Sequence, residues 1–585
     1  MFLHLLFFSA IALCILPLLP GMAGIILPAL SWLPHSLTGT TANAFSLHAF
    51  ELVITWPGIE QAIGLSLFTG ISSSLLALLF TFLILQAHWQ SPRWQRIERW
   101  LAPVLAMPHV AFAIGFGFLF ASTGWLYRLV EQMGFSTQGW DAVVQDPYGL
   151  GLILALAIKE TPFLLLMSAS VLKQIKVDTL YKTASGLGYR HADIWLKVIL
   201  PQWLPKIRLP FYAVLAFGLS VVDVSLIIGP TRPPTFAVLV WQWFNEPDLT
   251  LLPRAAAGAL SLLALTLLVL LTARVIEHAV LNIWNKWLYS GANQLRLPGK
   301  STIYAILLLP LIVTPLLVLW SIAQRWRFPD LLPTRFSFRF WQQELAPLWE
   351  YSYNSLLLAV VSSVIALVIA IGCLEYRDRF QRQIPFWLIT IPMVIPQLSL
   401  LFGLQVTSHL VAGQHFWLLV SWSHVIFVFP YIYLALDGPW RSFDRRLTQS
   451  ALSLGLSQWH AWWQVKRALL MPSIWIALAI GMSVSLAQYL PTQMLGAGRI
   501  STITTEAVAL ASGQDRRVSA IYGLLQAVLP LIFFSLALVA GRCSGVQPCK
   551  AKPTNSKAQR SQSIDSKSMN PKIVYSKQTK SKTCC

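Results

Sequence analysis

The sequence predicts an all-α, polytopic membrane protein with about twelve transmembrane helices, arranged as two parallel six-helix repeats. Three observations lead to this prediction. The chain of 585 residues is 56% hydrophobic and 11% charged, whereas a soluble domain carries about 25% charged residues. The apolar residues are gathered in long runs, and a run of about 20 crosses a bilayer as a helix. The second half of the chain also repeats the first.

Apolar runs between charged or Pro- and Gly-rich breaks define the predicted spans. The first six are 3–27, 62–85, 101–122, 148–172, 209–229 and 256–275, and the second six are 302–322, 354–374, 386–406, 415–436, 474–496 and 518–540. The first thirty residues contain no Lys or Arg. They therefore lack the charged start of a secretory signal, and we interpret them as a retained first span.

Basic residues in the loops predict the orientation. With the N-terminus inside, the inner loops hold 22 Lys or Arg and 8 acids, whereas the outer loops hold 10 Lys or Arg and 12 acids. Because Lys and Arg accumulate in cytoplasmic loops, we expect both termini to be cytoplasmic. The loop 323–353 is the exception, since it has four arginines on the outside.

An internal repeat is the most informative feature of the sequence. The stretch 181–205 matches the chain 267 residues later without a gap. The matched pairs include Ala184 and Ala451, Gly188 and Gly455, Trp195 and Trp462, Val198 and Val465, and Pro205 and Pro472. Equivalent loops fall on the same side, so the duplication is parallel. We expect halves at 1–300 and 301–540, with a pathway along the pseudo-two-fold axis between them.

Each repeated loop predicts a helix–turn–helix elbow on the cytoplasmic face: the first elbow at 181–205 and the second at 448–472. Gly188 can adopt the positive φ that turns a helix end. We expect Pro201 and Pro205 to end the second helix of the first elbow before the next span begins. The repeat makes an ordinary basic loop the weaker interpretation.

The spacing from Gly188 through Val198 to Leu200-Pro201 resembles the EAA loop of binding-protein-dependent ABC importer permeases. That loop reads E-A-A, three residues, G, nine residues, I, one residue, L-P. The chain departs from it where Lys182 and Gln449 replace Glu, and where Thr183 and Ser450 replace the first Ala. The resemblance covers about 55–540 and is greatest to fused double permeases of the iron(III) and thiamine uptake type.

The resemblance implies a type I importer permease in a bacterial inner membrane. It would receive a small solute from a periplasmic binding protein, and separate ATPase subunits, two in number, would dock on the elbows. It implies no cofactor and no nucleic-acid partner. The residues expected to couple the permease to the ATPases are Lys182, Thr183, Ala184, Gly188, Val198, Pro201, Pro205, Gln449, Ser450, Ala451, Gly455, Val465 and Pro472.

Several absences weaken other functions. Gly299-Lys300-Ser301 suggests a phosphate-binding loop, but the motif requires glycine where this chain has Gln294. The six cysteines show no metal-ligand spacing, and the histidines are scattered without an HExxH pattern. We therefore expect no catalytic or metal site, and an intramembrane enzyme is disfavoured.

Three charges fall within the predicted spans: Lys159, Glu160 and Asp223. A buried charge in a bilayer is costly, so these side chains should face protein or water. They predict either a polar patch on the solute path or a structural ion pair. A proton-coupled secondary transporter using Glu160 and Asp223 is the alternative function. Adjacent helical residues point about 100° apart, so we do not expect Lys159 and Glu160 to line one seam.

The tail 541–585 has ten Lys or Arg and a single acid. Its polar composition cannot form a core, and we expect a disordered cytoplasmic segment.

Overall fold

The computed structural model describes residues 2–32, 45–140, 143–288, 297–411, 415–513 and 515–544. The tail beyond residue 544 and Gln294 lie outside these ranges. The helices of the first half are α1 (Phe2–Ile15), α2 (Leu18–Ala29), α3 (His48–Ile54), α4 (Ile59–His88), α5 (Trp94–Ala106), α6 (His109–Phe120), α7 (Trp125–Gln132), α8 (Leu150–Gln174), α9 (Val177–Gly186), α10 (His191–Asp193), α11 (Leu200–Ser220), α12 (Asp223–Ile228), α13 (Phe236–Phe244) and α14 (Leu252–Leu288).

The second half is also helical. Its helices are α15 (Thr302–Ser321), α16 (Arg339–Phe380), α17 (Phe386–Val394), α18 (Gln397–Val411), α19 (Phe416–Ser442), α20 (Arg445–Ser453), α21 (Gln458–Ala461), α22 (Arg467–Ala487), α23 (Leu490–Leu495), α24 (Ile503–Ala511) and α25 (Arg516–Ser544). Short segments complete the description: π-helical turns at Ile194–Ile199 and Trp462–Lys466, a 3-10 turn at Leu249–Leu251, and the antiparallel strands β1 (Ala323–Arg325) and β2 (Arg335–Phe336).

Long apolar helices confirm the all-α polytopic fold. Within the described ranges, ten helical stretches are long and apolar enough to cross a bilayer, and the bent pair α17–α18 raises the number to eleven. The fifth predicted span of the first half corresponds to α11, which has 21 residues and is not among the ten. It contains Lys206 and Arg208, which lower its hydropathy.

The predicted spans 101–122 and 386–406 are not continuous helices. Met107 and Ile395 are extended, with ψ of 121° and 132°, and each precedes a proline. A residue before proline is disfavoured in the helical region, which explains both breaks. Helices α17 and α18 meet at 85°.

The predicted spans 209–229 and 474–496 also break, at equivalent places. Val221 and Gln488 are extended, with ψ of 128° and 116°, and the short helices α12 and α23 follow. Pro491 lies in the first turn of α23, where its missing N–H is not needed. Asp223 therefore begins a short helix and is not part of a continuous span.

The repeat is visible in the helices themselves. Helices α12 and α13 begin at 223 and 236, and α23 and α24 begin 267 residues later, at 490 and 503. The two π-helical turns occupy equivalent places in the elbows. Phe163 and the equivalent Tyr431 face each other with ring centroids 6.5 Å apart, which places them beside the pseudo-two-fold axis.

Candidate functional site

The first elbow turns at Gly188, which has φ of +85°. The turn closes through a hydrogen bond from the Tyr189 N–H to the Ala184 carbonyl at 3.2 Å. This bond pattern and the positive φ are those of a glycine-capped helix C-terminus. Ala184 is buried, and no atom lies within 4 Å of the position that a Gly188 side chain would take.

The second elbow has the same backbone. Gly455 has φ of +88°, and the Leu456 N–H donates to the Ala451 carbonyl at 3.2 Å. Ala451 is buried, and the space around Gly455 is open. The two elbows therefore have the same turn.

Besides the buried Ala184 and Ala451, the predicted coupling residues fall into two groups. Those in the first helix and turn are exposed: Lys182, Thr183, Gly188, Gln449, Ser450 and Gly455. Those in the second helix are partly buried against the spans: Val198, Pro201, Pro205, Val465 and Pro472. The first group is therefore the more accessible of the two.

The prediction that proline ends the second elbow helix was wrong. The chain continues from the π-helical turn at Ile194–Ile199 into α11, with Pro201 in its first turn and Pro205 inside it. A first-turn proline costs no helical hydrogen bond, and neighbouring groups can compensate an internal one. The elbow is thus joined to the fifth span as one helical rod.

Leu187 and Leu454 lie at the tips of the elbows, and sequence reasoning did not select them. Their side chains are 74% and 84% exposed. The signal was present, because the repeat matches these two leucines. An exposed leucine beside each glycine gives both elbows an apolar contact point.

Hydrogen bonds of the His191 ring attach the first elbow to α4. The His191 ring accepts from the Tyr181 hydroxyl at Nδ1, at 3.0 Å, and donates from Nε2 to the Gln86 carbonyl at 2.7 Å. The Gln86 amide donates to the Pro298 carbonyl at 2.8 Å.

Ion pairs attach the second elbow to α16. The Lys466 ammonium lies 2.7 Å from carboxylate oxygens of both Glu375 and Asp378, and Arg445 lies 3.1 Å from Asp378. The side chain of Lys466 is 7% exposed, so these charges meet in a largely dry environment. The cluster is continued by the Arg377 ion pair with Asp437.

A cavity of about 210 Å³ lies between the halves. Lys159, Glu160 and Asp223 all line it, together with His109. The expectation that Lys159 and Glu160 could not share a seam was therefore wrong. The cavity reaches α5 on one side and α6 on the other, so adjacent residues of α8 both border it.

The charged groups of the cavity have different partners. Lys159 donates to the Val104 carbonyl at 3.0 Å, whereas Glu160 Oε1 lies 2.8 Å from His109 Nε2. These separate contacts replace the ion pair that was the alternative for Lys159 and Glu160. Asp223 is close enough to His109 and Tyr489 for electrostatic interaction.

The second half lines the same cavity with uncharged groups. Gln397 occupies the place of His109, Phe427 that of Lys159, and Leu490 that of Asp223. Tyr431 and Tyr489 add aromatic rings. Among the described residues, no three His, Cys, Asp or Glu side chains come together to hold a metal ion.

The fold and site define a class: a polytopic transport protein with two matched elbows and, between its halves, a cavity that contains charged side chains. The chain is 33% identical over 545 residues to the inner membrane ABC transporter permease protein YnjC of Escherichia coli, covering 92% of this chain and 96% of that protein. It is 24% identical over 464 residues to the thiamine transport system permease protein ThiP of Haemophilus influenzae, covering 75% and 80%. A comparison with protein-family models finds no match.

The chain therefore belongs to the ABC transporter permeases and is the multi-pass inner-membrane permease subunit of an importer. Permeases of this class operate with ATPase subunits and a solute-binding protein. The proton-coupled alternative has no support in these comparisons.

Proposed function

We propose that each elbow is the docking site of one ATPase subunit, so that two subunits drive the transporter. The observation that carries this proposal is the duplicated turn, which has the same φ, the same closing hydrogen bond and an exposed leucine in both halves. The halves are 1–300 and 301–540, and both termini are cytoplasmic. The Lys and Arg distribution supports this orientation.

Force would reach the membrane through the helical rod. The exposed residues Lys182, Thr183, Gln449 and Ser450 would contact the ATPases, and Ala184 and Ala451 would hold the turns against the second elbow helices. The π-helical turns continue directly into α11 and α22. A displacement of an elbow would thus move the fifth span of its half without an intervening loop. The energy would come from the partner, because this chain lacks the glycine of a phosphate-binding loop at Gln294.

The solute would pass through the cavity between the halves. Lys159, Glu160 and Asp223 would border the path, since all three line the cavity and lie within or next to the spans. The printed name of the Haemophilus relative specifies thiamine. Thiamine is therefore the first solute to test, while other small solutes remain open.

The test is the double variant Gly188→Val and Gly455→Val. A β-branched residue at positive φ costs about 1–3 kcal/mol per site, and the open space around both glycines means that backbone strain is the only direct effect. We expect the variant to remain in the membrane while it loses ATPase co-purification and solute-stimulated ATP hydrolysis. Each single variant should give a partial loss.

Gly438→Val is the matched control. Gly438 lies near the cytoplasmic end of α19, also has open space around it, and does not have a positive φ. It should retain ATPase binding. Unchanged binding and stimulation in the double elbow variant would refute the docking proposal.

A further inference from the structure

A basic hairpin projects from the second half on the face opposite the elbows. Strands β1 and β2 pair so that Arg325 lies directly opposite Arg335. Arg327 lies in the connecting loop, and Arg339 begins α16. All four arginines are exposed, and they are the exception to the loop-charge rule noted in the sequence. The proposed function leaves this hairpin without a role.

The hairpin is held in one conformation from beneath. Arg128, which is buried, donates to the carbonyls of Arg327 and Asp330 at 2.6 and 2.8 Å. Its guanidinium also lies over the Trp326 ring, 5.0 Å from the centroid. Arg517 donates to the Gln324 carbonyl at 2.9 Å. A guanidinium from each half thus fixes the backbone, and the exposed arginines keep a defined spacing.

The positive charges of these arginines are the next feature of the hairpin. Within the described part of the chain, none of the four forms an ion pair with a carboxylate. Like charges placed directly opposite each other on paired strands are destabilising, as Arg325 and Arg335 are. Phe336 and Phe338 lie beside them, 56% and 67% exposed. Arginine and aromatic side chains together are typical of protein interfaces.

The outer loops of the two halves carry opposite net charges. The first-half outer loops (28–61, 123–147 and 231–255) hold 3 basic and 7 acidic residues, and the second-half outer loops (323–353, 407–414 and 497–517) hold 7 basic and 5 acidic residues. Glu51, Glu60 and Asp248 are exposed acids of the first half. Hydrogen bonds from the Thr250 side chain and backbone lower the pKa of Asp248, which keeps it ionised.

We propose that the hairpin binds an acidic surface on one lobe of the periplasmic solute-binding protein, while the acidic outer loops of the first half face a basic surface on its other lobe. A protein that delivers solute to the central cavity must cover both halves. Solute-binding proteins close as two lobes around a ligand, so one lobe can meet each half. Opposite charges on the two halves then permit a single docking orientation. This inference rests on the proposed importer function.

The experiment uses Arg325→Glu with Arg335→Glu in the complete transporter, reconstituted with its ATPases in phosphatidylcholine nanodiscs. The probe is the solute-binding protein that stimulates ATP hydrolysis by the unsubstituted transporter. We expect the concentration for half-maximal stimulation to rise about tenfold or more at low salt. The difference should shrink at about 1 M salt, where the Debye length is about 3 Å.

Two further variants sharpen the test. Arg325→Lys with Arg335→Lys keeps the charge and should stay near the unsubstituted value. Glu51→Lys with Asp248→Lys, on the other half, should weaken stimulation as the hairpin reversal does. ATPase co-purification reports assembly, which should persist because the hairpin lies opposite the elbows.

The outcomes are distinct. An unchanged half-maximal concentration in the hairpin reversal, with normal maximal stimulation, would overturn the inference and leave the importer function intact. An effect seen only in nanodiscs with anionic lipid and without the binding protein would assign the arginines to lipid headgroups and overturn it too. Absence of stimulation in the unsubstituted transporter by every solute-binding protein would instead count against the importer function, and so against both.

Discussion

The first elbow is joined to α4 at Gln86 through the ring of His191. At the equivalent place in the second half, α16 carries Glu375, which binds the ammonium of Lys466. The position equivalent to Lys466 in the first elbow is the buried Ile199. At this position one backbone therefore uses a histidine hydrogen bond in one half and an ion pair in the other. The first elbow also contains two buried charged residues, Asp193 and Lys197.

The side chains that line the cavity also differ between the halves. The first half supplies Lys159, Glu160 and Asp223, and the second half supplies Phe427 and Leu490 at equivalent places. The charged side chains that line the cavity thus all come from the first half. Duplication therefore preserved the helices, whereas the polar side chains at equivalent places of the elbows and of the cavity diverged.

The largest effect is expected from Lys466→Met. It leaves the partly buried Glu375 without its cation, whereas Asp378 keeps Arg445. Removing one partner of a buried ion pair costs about 3–5 kcal/mol. The second elbow should lose hydrogen-exchange protection over 445–466, and ATPase coupling should fall with it. Ile199→Met is the matched control, because a similar-sized apolar exchange costs below about 1.5 kcal/mol. Equal losses in both variants would show that the charged attachment is not what distinguishes the second elbow.

The next largest effect is expected from removing a charge from the cavity. Glu160→Gln and Asp223→Asn keep the shape of each side chain, and we expect each to slow solute uptake about tenfold, a barrier change of about 1.4 kcal/mol. Membrane insertion and ATPase binding should be normal. Tyr431→Phe, which alters the uncharged side of the cavity, should change uptake much less. Uptake at the unsubstituted rate in either charge variant would remove that residue from the solute path.

Lys159→Met distinguishes a role of cavity charge in assembly from a role in solute uptake. Lys159 is buried and donates to the Val104 carbonyl, so its loss should disturb the break between α5 and α6 more than it disturbs uptake. We expect less assembled complex for Lys159→Met than for Glu160→Gln. The same assembly defect in both variants would favour a structural role for the two charges together.

Local sequence rules anticipated the elbows well and the cavity poorly. The positive φ of Gly188 and Gly455 follows from the helix–glycine–helix pattern and its repeat. The partners of Glu160 and Lys159 do not, because His109 and Val104 are more than 50 residues away and reach α8 only through the break before Pro108. Proline spacing was available as a signal for that break, but a continuous apolar run obscured it.

The ion pairs that attach the second elbow could not be predicted from the sequence either. Glu375, Asp378 and Lys466 come from segments about 90 residues apart, as the pairing of Asp378 with Lys466 shows. Ordinary basic and acidic loop residues give no local pattern that would pair them. Tertiary packing of α16 against the elbow selects the partners, and only the structure reveals it.

The smallest effect is expected from His191→Leu in the first elbow. The variant removes the hydrogen bond from Nε2 to the Gln86 carbonyl and the one from the Tyr181 hydroxyl to Nδ1. His191 is exposed, so water can replace part of what is lost, and a neutral hydrogen bond contributes about 0.5–1.5 kcal/mol. Hydrogen-exchange protection over 177–186 should therefore fall by about tenfold or less, with coupling largely retained. Gln458→Leu, at the equivalent exposed position of the second elbow, should leave protection over 445–453 unchanged. A loss in His191→Leu as large as that in Lys466→Met would mean that the histidine hydrogen bond and the ion pair hold their elbows equally firmly.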